Sequence, residues 1–433
     1  MPLRLAAAAL VALLAATPAL ADAVIYKGTL GKAAIVLELS QPIETAKGKV
    51  VGRYFYNAKG IDIPLDAVKA GGGKVDLAEE KPCTPSLCPL DDNGTPTGPA
   101  PIAAKWHLEA DTEGKLGGSW SSGGKTLPIA LERDATRTLS DDFDNTPQGL
   151  EDIVLDLSSG QAPIGLETSP YELIKVSEGP VEPGDPVKLG VATYQMITDP
   201  RTKFAFPHVS DLGGADLSAV DRYLERRHWR MSLDALSCEA QAYQGFGWND
   251  LVANSIGTLG GYPDEQVTVN YLSPTVMSWE ESGSLFCAGA HPDNHDENYS
   301  LDVRSGEKLD LSRIFKGWVP TPIDEDSPKD LKSARAKPGD YTWGPDEKLA
   351  AYVRAHLPKT DADTGEDDCS MGELIASNLN ISFVQGDKAR FSLDGLPYAI
   401  QSCGGTLFET PLKNLRPFLT PGAAAFFPSL AGK

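Results

Sequence analysis

Between Val24 and about Arg133 the chain alternates apolar and polar positions in short runs broken by glycine-containing turns. The runs are VIYKGTL, AAIVLEL, GRYFYNAKG, IDIPLDA, KVDLAEE, AAKWHLEAD, KLGGSWSS and KTLPIALER. A period of two sends successive side chains to opposite faces of a strand, so this region reads as an antiparallel meander. A meander of this length either stays an open, strongly twisted sheet or closes into a barrel, which removes its exposed edges; the pattern allows both. The insert KPCTPSLCPLDDNGTPTGPAP, Lys81 to Pro101, has no apolar rhythm and is expected to be a loop.

The pattern changes beyond Arg133. Residues 134–185 carry acids, Pro and Gly, with one possible strand at IVLDL, and are expected to be a linker or transition. VKLGVATYQMI then reads as a strand opening a second domain. Asp216 to Tyr243 places Val220, Tyr223, Leu224, Met231 and Leu236 three and four residues apart or at multiples of that spacing, the stripe of an amphipathic helix capped near Asp216 or Ser218. QVTVNYLSPTVMSWEESGSLFCAG, NYSLDVRSG and NISFVQGDKARFSLDG read as strands, and GEKLDLSRIF as a strand end and turn. PDEKLAAYVRAHLP has proline and two acids in its first turn and Arg354 and His356 near its end, as a helix requires. Residues 320–344 lack periodicity and read as a surface loop; the tail reads as a strand at PYAIQSC, another at TLFETP, and a short helix. The expected fold class is α+β: residues 22–133 form a β meander or barrel-like domain, and residues 186–425 pack helices on a mostly antiparallel sheet.

The first 21 residues change the compartment. An early Arg4, an apolar run from Leu5 to Leu14 and small residues at Ala19 and Ala21 describe a signal peptide cleaved before Asp22. No run approaches the roughly 20 apolar residues of a membrane span, so a periplasmic or secreted protein is expected. The six cysteines, an even number, agree. Their connectivity is not fixed by sequence, but spacing favours Cys83 with Cys88, Cys238 with Cys287, and Cys369 with Cys403. CTPSLC has spacing a zinc site tolerates, yet no second knuckle accompanies it, so no metal or other cofactor is expected. The formal charge of −21 becomes −22 when Arg4 leaves, which argues against a nucleic-acid partner and permits a cationic one.

Several segments carry candidate chemistry. His291, Asp293 and His295 lie in HPDNHDEN, where Pro292 and the Asn and Asp content favour a turn that could contact a ligand over a metal site. RYLERRHWR is the basic cluster; Arg226, Arg227 and Trp229 could anchor an anionic or aromatic ligand, or the arginines pair with acids while Tyr223 and Trp229 pack on the sheet. Tyr26, Tyr54, Phe55, Tyr56, Trp106 and Trp120 are expected mainly as core. GGSWSSGG is not a nucleophile elbow, and neither GTLGG nor AGGGK completes a phosphate loop, so no catalytic residue is assigned.

GAHPDNHDENYSLDVRSGEKLDLSRIF, followed by ISFVQGDKARFSLDGLPYAIQSCGG and ETPLKNLRPFL, resembles the DUF3298 and deacetylase-associated extracytoplasmic domain family, typified by the extracellular part of lysozyme-sensing anti-sigma factors of the RsiV type. The resemblance spans about 188–419, and it adds Tyr398, beside Pro397, as a possible contact. YKGTLGKAAIVLEL, GRYFYNAKGIDIPL and GGSWSSGGKTLPIALER look like a small β module found ahead of such domains. The family implies a non-catalytic domain that binds a protein such as lysozyme or precedes an enzyme. The expectation is therefore an exported binding or interaction protein of the bacterial cell envelope, its partner an envelope protein, a lysozyme-like protein or peptidoglycan. Two alternatives stand beside it: a hydrolase of peptidoglycan or other glycan, and an inhibitor of lysozyme-like cationic enzymes.

Overall fold

The computed structural model describes residues 22–46, 48–82, 87, 97–98, 101–244, 265–285, 287, 293–324, 327–328, 330–357 and 369–431. The expected signal peptide, residues 1–21, and Cys83 and Cys88 lie outside them. All eight period-two runs are strands: β1 (Asp22–Leu30), β2 (Ala33–Leu39), β3 (Val51–Tyr56), β4 (Ile63–Gly71), β5 (Lys74–Glu80), β6 (Ile102–Ala110), β7 (Leu116–Ser122) and β8 (Lys125–Thr138). The meander closes, because β1 pairs with β8 from Asp22↔Thr138 to Leu30↔Ile129, with a bulge after Ile25. Val24, Tyr26, Leu37, Tyr54, Leu65, Leu77, Trp106, Leu108 and Leu131 fill the lumen. Charged residues such as Lys105, His107, Glu109 and Glu132 stand outside, the reverse of a membrane barrel, whose outer band is apolar. Gly123 and Gly124, with φ of 54° and 81°, make the tight β7–β8 turn that side chains resist. A Cβ on Gly118 would lie 1.9 Å from the His107 carbonyl oxygen, so the β6–β7 contact requires glycine there.

The stretch 134–185, expected as a linker, instead completes β8 and forms three helices, α1 (Pro147–Glu151), α2 (Ile153–Ser159) and α3 (Pro170–Ser177). IVLDL is helix rather than strand: Thr146 caps α1 by accepting from the Gly149 amide, Pro147 starts it, and Val154 and Leu157 are buried one turn apart in α2. The helices cover the barrel wall, where Tyr171 and Ile174 pack on Ile25, Val36 and Phe55.

Under them lies a buried ionic network. Glu38 on β2 sits opposite Arg53 on β3 and accepts from Arg53 at 2.7 Å and Arg137 at 2.6 Å. Arg53 also donates to Glu172 and, at 3.2 Å, to Asp62. Asp62 accepts from Tyr171 at 2.8 Å and Lys175 at 2.7 Å. Burial alone would raise the Glu38 carboxyl, but the two guanidinium groups outweigh it and hold the group below the usual carboxylate range.

The C-terminal half is α+β. The sheet β9 (Glu182–Pro183), β10 (Val187–Leu189), β11 (Ala192–Thr198) and β12 (Ala205–Leu212) precedes the long helix α4 (Ser218–Ala240). The sheet β13 (Gln266–Leu272), β14 (Val276–Leu285), β15 (Asp293–Asp302) and β16 (Glu307–Lys308) follows. Val220, Leu224, Met231 and Ala235 of α4 pack with Phe206, Met277, Trp279 and Leu301. The ribbon β17 (Trp318–Pro322) and β18 (Tyr341–Pro345), with α5 (Leu331–Ala336) between, corrects the expected loop at 320–344. Trp318 and Tyr341 give that ribbon its anchors; both are buried. Helices α6 (Glu347–Ala355) and α7 (Met371–Asn378) then lead to β19 (Leu379–Val384), β20 (Lys388–Leu393) and β21 (Gly405–Pro411). PYAIQSC is a 3-10 segment, Tyr398–Cys403, not a strand, and Leu412–Phe418 is likewise 3-10. Disulfides join Cys238 to Cys287 and Cys369 to Cys403, two of the three pairs the spacing favours.

Candidate functional site

His295 lies within β15, not in a turn. The strand pattern was hidden because DNHDENYS is polar on both faces. One face meets a seam of Ser278, Ser300, Ser382 and Ser392 around Asn298, and the other meets the polar side of α4. Register sets the second face. Trp279, Glu281 and Gly283 on β14 stand opposite Tyr299, Glu297 and His295 on β15. Glu265, just before β13, is in phase with Val267, the partner of Glu281.

Helix α4 contributes Tyr223 and Arg227. Arg227 grips Glu281 through Nε at 3.1 Å and a second nitrogen at 2.5 Å, reaches the Tyr299 hydroxyl at 3.1 Å, and lies over that ring at 5.1 Å. The Trp279 indole donates to Glu281 at 2.8 Å and stacks on Tyr299 with centroids 5.3 Å apart. Tyr299 in turn donates to Glu297. On the far side His295 Nε2 lies 2.9 Å from Glu265 Oε2, and the buried Glu265 Oε1 atom has no hydrogen-bond donor among the described residues.

The electrostatics follow from this packing. Burial raises the Glu265 carboxyl, and His295 only partly offsets it. Burial would lower His295, but the Glu265 carboxylate overcomes that and raises it. Desolvation likewise opposes the Arg227 charge, and Glu281 more than restores it. A second acidic surface lies on the opposite face. Glu280 pairs with Arg390 at 2.5 Å, whereas Asp296 has no ion pair among the described residues, and its carboxyl is raised by burial and then by Glu280 and Asp394. The β14–β15 hairpin thus carries Glu280, Glu281, Asp296 and Glu297 against Arg227 and Arg390.

The fold brings two of the expected contact residues, Arg227 and His295, to one cluster. Arg226 points to solvent on the same helix, and Trp229 packs against Val154, Leu157, Val176 and Leu233, on the helices rather than the sheet. Tyr398 is 46% exposed in its 3-10 segment. Asp293 starts β15 opposite Leu285, and His291 lies outside the described residues. Glu297 was read beside His295 in HPDNHDEN, but sequence reasoning passed over Glu265, Glu281, Trp279 and Tyr299, although the alternation in SWEES and HDENY puts the last three on one face with Glu297. Among the described residues no group of three His, Cys, Asp or Glu side chains could hold a metal ion.

One further concavity, an open groove of about 1020 Å³, runs along the barrel's outer wall over Gly117 and Ala130. Its flanking charges are paired with one another, as in Lys27 with Glu178 at 2.5 Å and Lys115 with Glu132 at 3.2 Å. No helix among the described residues is long and apolar enough to cross a membrane. No family model matches this chain, and no curated protein matches it.

Proposed function

We propose that this chain is an exported, non-catalytic binding protein of the bacterial cell envelope whose β14–β15 hairpin receives a cationic surface of another protein. The observation that carries this reading is the register Glu281↔Glu297. Like charges directly opposite each other destabilise a strand pair. Arg227 answers Glu281, but among the described residues Glu297 accepts only from the Tyr299 hydroxyl. The fold therefore retains an excess of carboxylate that a basic partner would neutralise. The overall charge of −21 would speed such an encounter, and the leader, the two disulfides and the resemblance to domains that bind lysozyme support an extracytoplasmic setting.

A hydrolase of envelope glycan is the second reading, favoured by the Glu265–His295 pair, in which a buried carboxyl is raised beside an imidazole. The test is capture from an envelope extract by the mature, oxidised protein, with purified lysozyme and peptidoglycan as defined ligands. Salt-sensitive retention of a basic protein supports binding. Turnover of peptidoglycan that is lost in Glu265→Gln supports the hydrolase instead.

A further inference from the structure

At one end of the barrel a single carboxylate is held in an unusual way. Glu79, on β5, turns into the lumen, and its Oε2 atom accepts from the Tyr54 hydroxyl at 3.0 Å, the Trp106 indole at 2.8 Å and the Trp120 indole at 2.7 Å. The donors come from β3, β6 and β7, so groups from both sides of β5 converge on one oxygen atom. The residue is 7% exposed, and Oε1 accepts no hydrogen bond among the described residues. No Lys, Arg or His forms an ion pair with it among the described residues.

Elsewhere this protein neutralises buried carboxylates directly, as Arg53, Arg137 and Lys175 do beneath the helices. A buried carboxylate without a cation is costly, and here the described residues supply neutral donors to one oxygen and none to the other. The walls are aromatic. Tyr54 meets Trp106 edge to face at 4.8 Å and Tyr56 at 5.4 Å. Tyr243, from the 3-10 turn that ends α4, packs on the same cluster. Burial pushes the Tyr243 hydroxyl up to about 12, with the Glu79 charge adding to it, which puts that ring within electrostatic reach of the carboxylate. Trp120, Tyr56 and Tyr243 are only partly buried, so their rings reach the surface at this end of the lumen.

We propose that this end of the barrel is a binding site for an organic ammonium group, with Glu79 as its counter-ion and the rings of Tyr56, Trp120 and Tyr243 as its walls. Aromatic faces attract such cations through their quadrupoles, and the attraction grows when the cation is desolvated. Barrel mouths are a common place for small-ligand sites. The three donors fix the carboxylate before the ligand arrives, so little ordering remains to be done on binding.

The test uses the mature, oxidised chain and follows tryptophan fluorescence during titration with choline and, separately, with its uncharged isostere, in which carbon replaces the quaternary nitrogen. Saturable quenching by choline and none by the isostere is expected, with affinity weakened at least about tenfold in Glu79→Gln and unchanged in Glu132→Gln, on the outer wall. No saturable response, an equal response to the isostere, or unaltered affinity in Glu79→Gln overturns the proposal. If circular dichroism shows that Glu79→Gln does not fold, Trp120→Phe takes its place: it keeps the carboxylate, removes one donor and one wall, and must weaken choline binding, unaltered affinity being the overturning result.

Discussion

Replacing Arg53 by Met tests how the helices are held on the barrel. Arg53 is 2% exposed and bonded to Glu38, Asp62 and Glu172. After the substitution Glu38 keeps Arg137, and Asp62 keeps Lys175 and Tyr171. Glu172, fully buried, loses the donor to Oε1, and its Oε2 atom already has none. One uncompensated buried carboxylate remains, which costs about 3–5 kcal/mol. The double variant Arg53→Met/Glu172→Leu removes both partners and should recover about half of that loss. Urea unfolding of the oxidised chain, followed by far-UV circular dichroism at neutral pH, measures both. A loss below about 1 kcal/mol in the single variant, or a double variant no more stable than the single, would refute the reasoning.

His228 is buried beside Phe204 and Phe206, and burial lowers its pKa from 6.5 to about 4. The folded state therefore favours the neutral ring, stability falls as pH drops from about 6.5 to 4, and His228→Gln should remove about 2–3 kcal/mol of that acid sensitivity in urea melts across the window. Glu80 behaves oppositely. Burial and then Asp66 raise it to about 7, so the fold loses stability as pH rises from 4.5 to 7, and Glu80→Gln should stabilise at pH 8 by about 1–2 kcal/mol after solvent screening. Removal of Cys238–Cys287, which closes a 49-residue separation, should cost about 2–4 kcal/mol, read as a lower urea midpoint of Cys238→Ser/Cys287→Ser under oxidising conditions.

The barrel strands were legible because most place one apolar face in the lumen and one polar face outside, so period two survives in the sequence; β2 and β3, whose outer face lies under the helices, are buried on both. Closure was not legible, since the β1–β8 pairing joins residues about a hundred positions apart, from Asp22↔Thr138 to Leu30↔Ile129, and leaves no local signal. The helices at 147–177 were hidden by their shortness; α2 has only seven residues, too few for a stripe to stand out. β15 was obscured because both of its faces are polar, one toward the Asn298 seam and one toward Arg227. At the site, Arg227 and His295 were visible as scarce residue types and Glu297 as a neighbour of His295, whereas Glu265 and Glu281 were lost among 60 acids until the register grouped them. Glu79 was equally invisible, because its donors come from three strands.

The most direct test of the binding account is calorimetric titration of the mature, oxidised protein with lysozyme, as a basic protein ligand, at low and at physiological salt, for the native chain and for Asp296→Asn/Glu297→Gln. Saturable binding that weakens with salt and falls at least about tenfold in the double variant is the predicted result. Binding of equal strength in the variant, or no binding at either salt concentration, would contradict it.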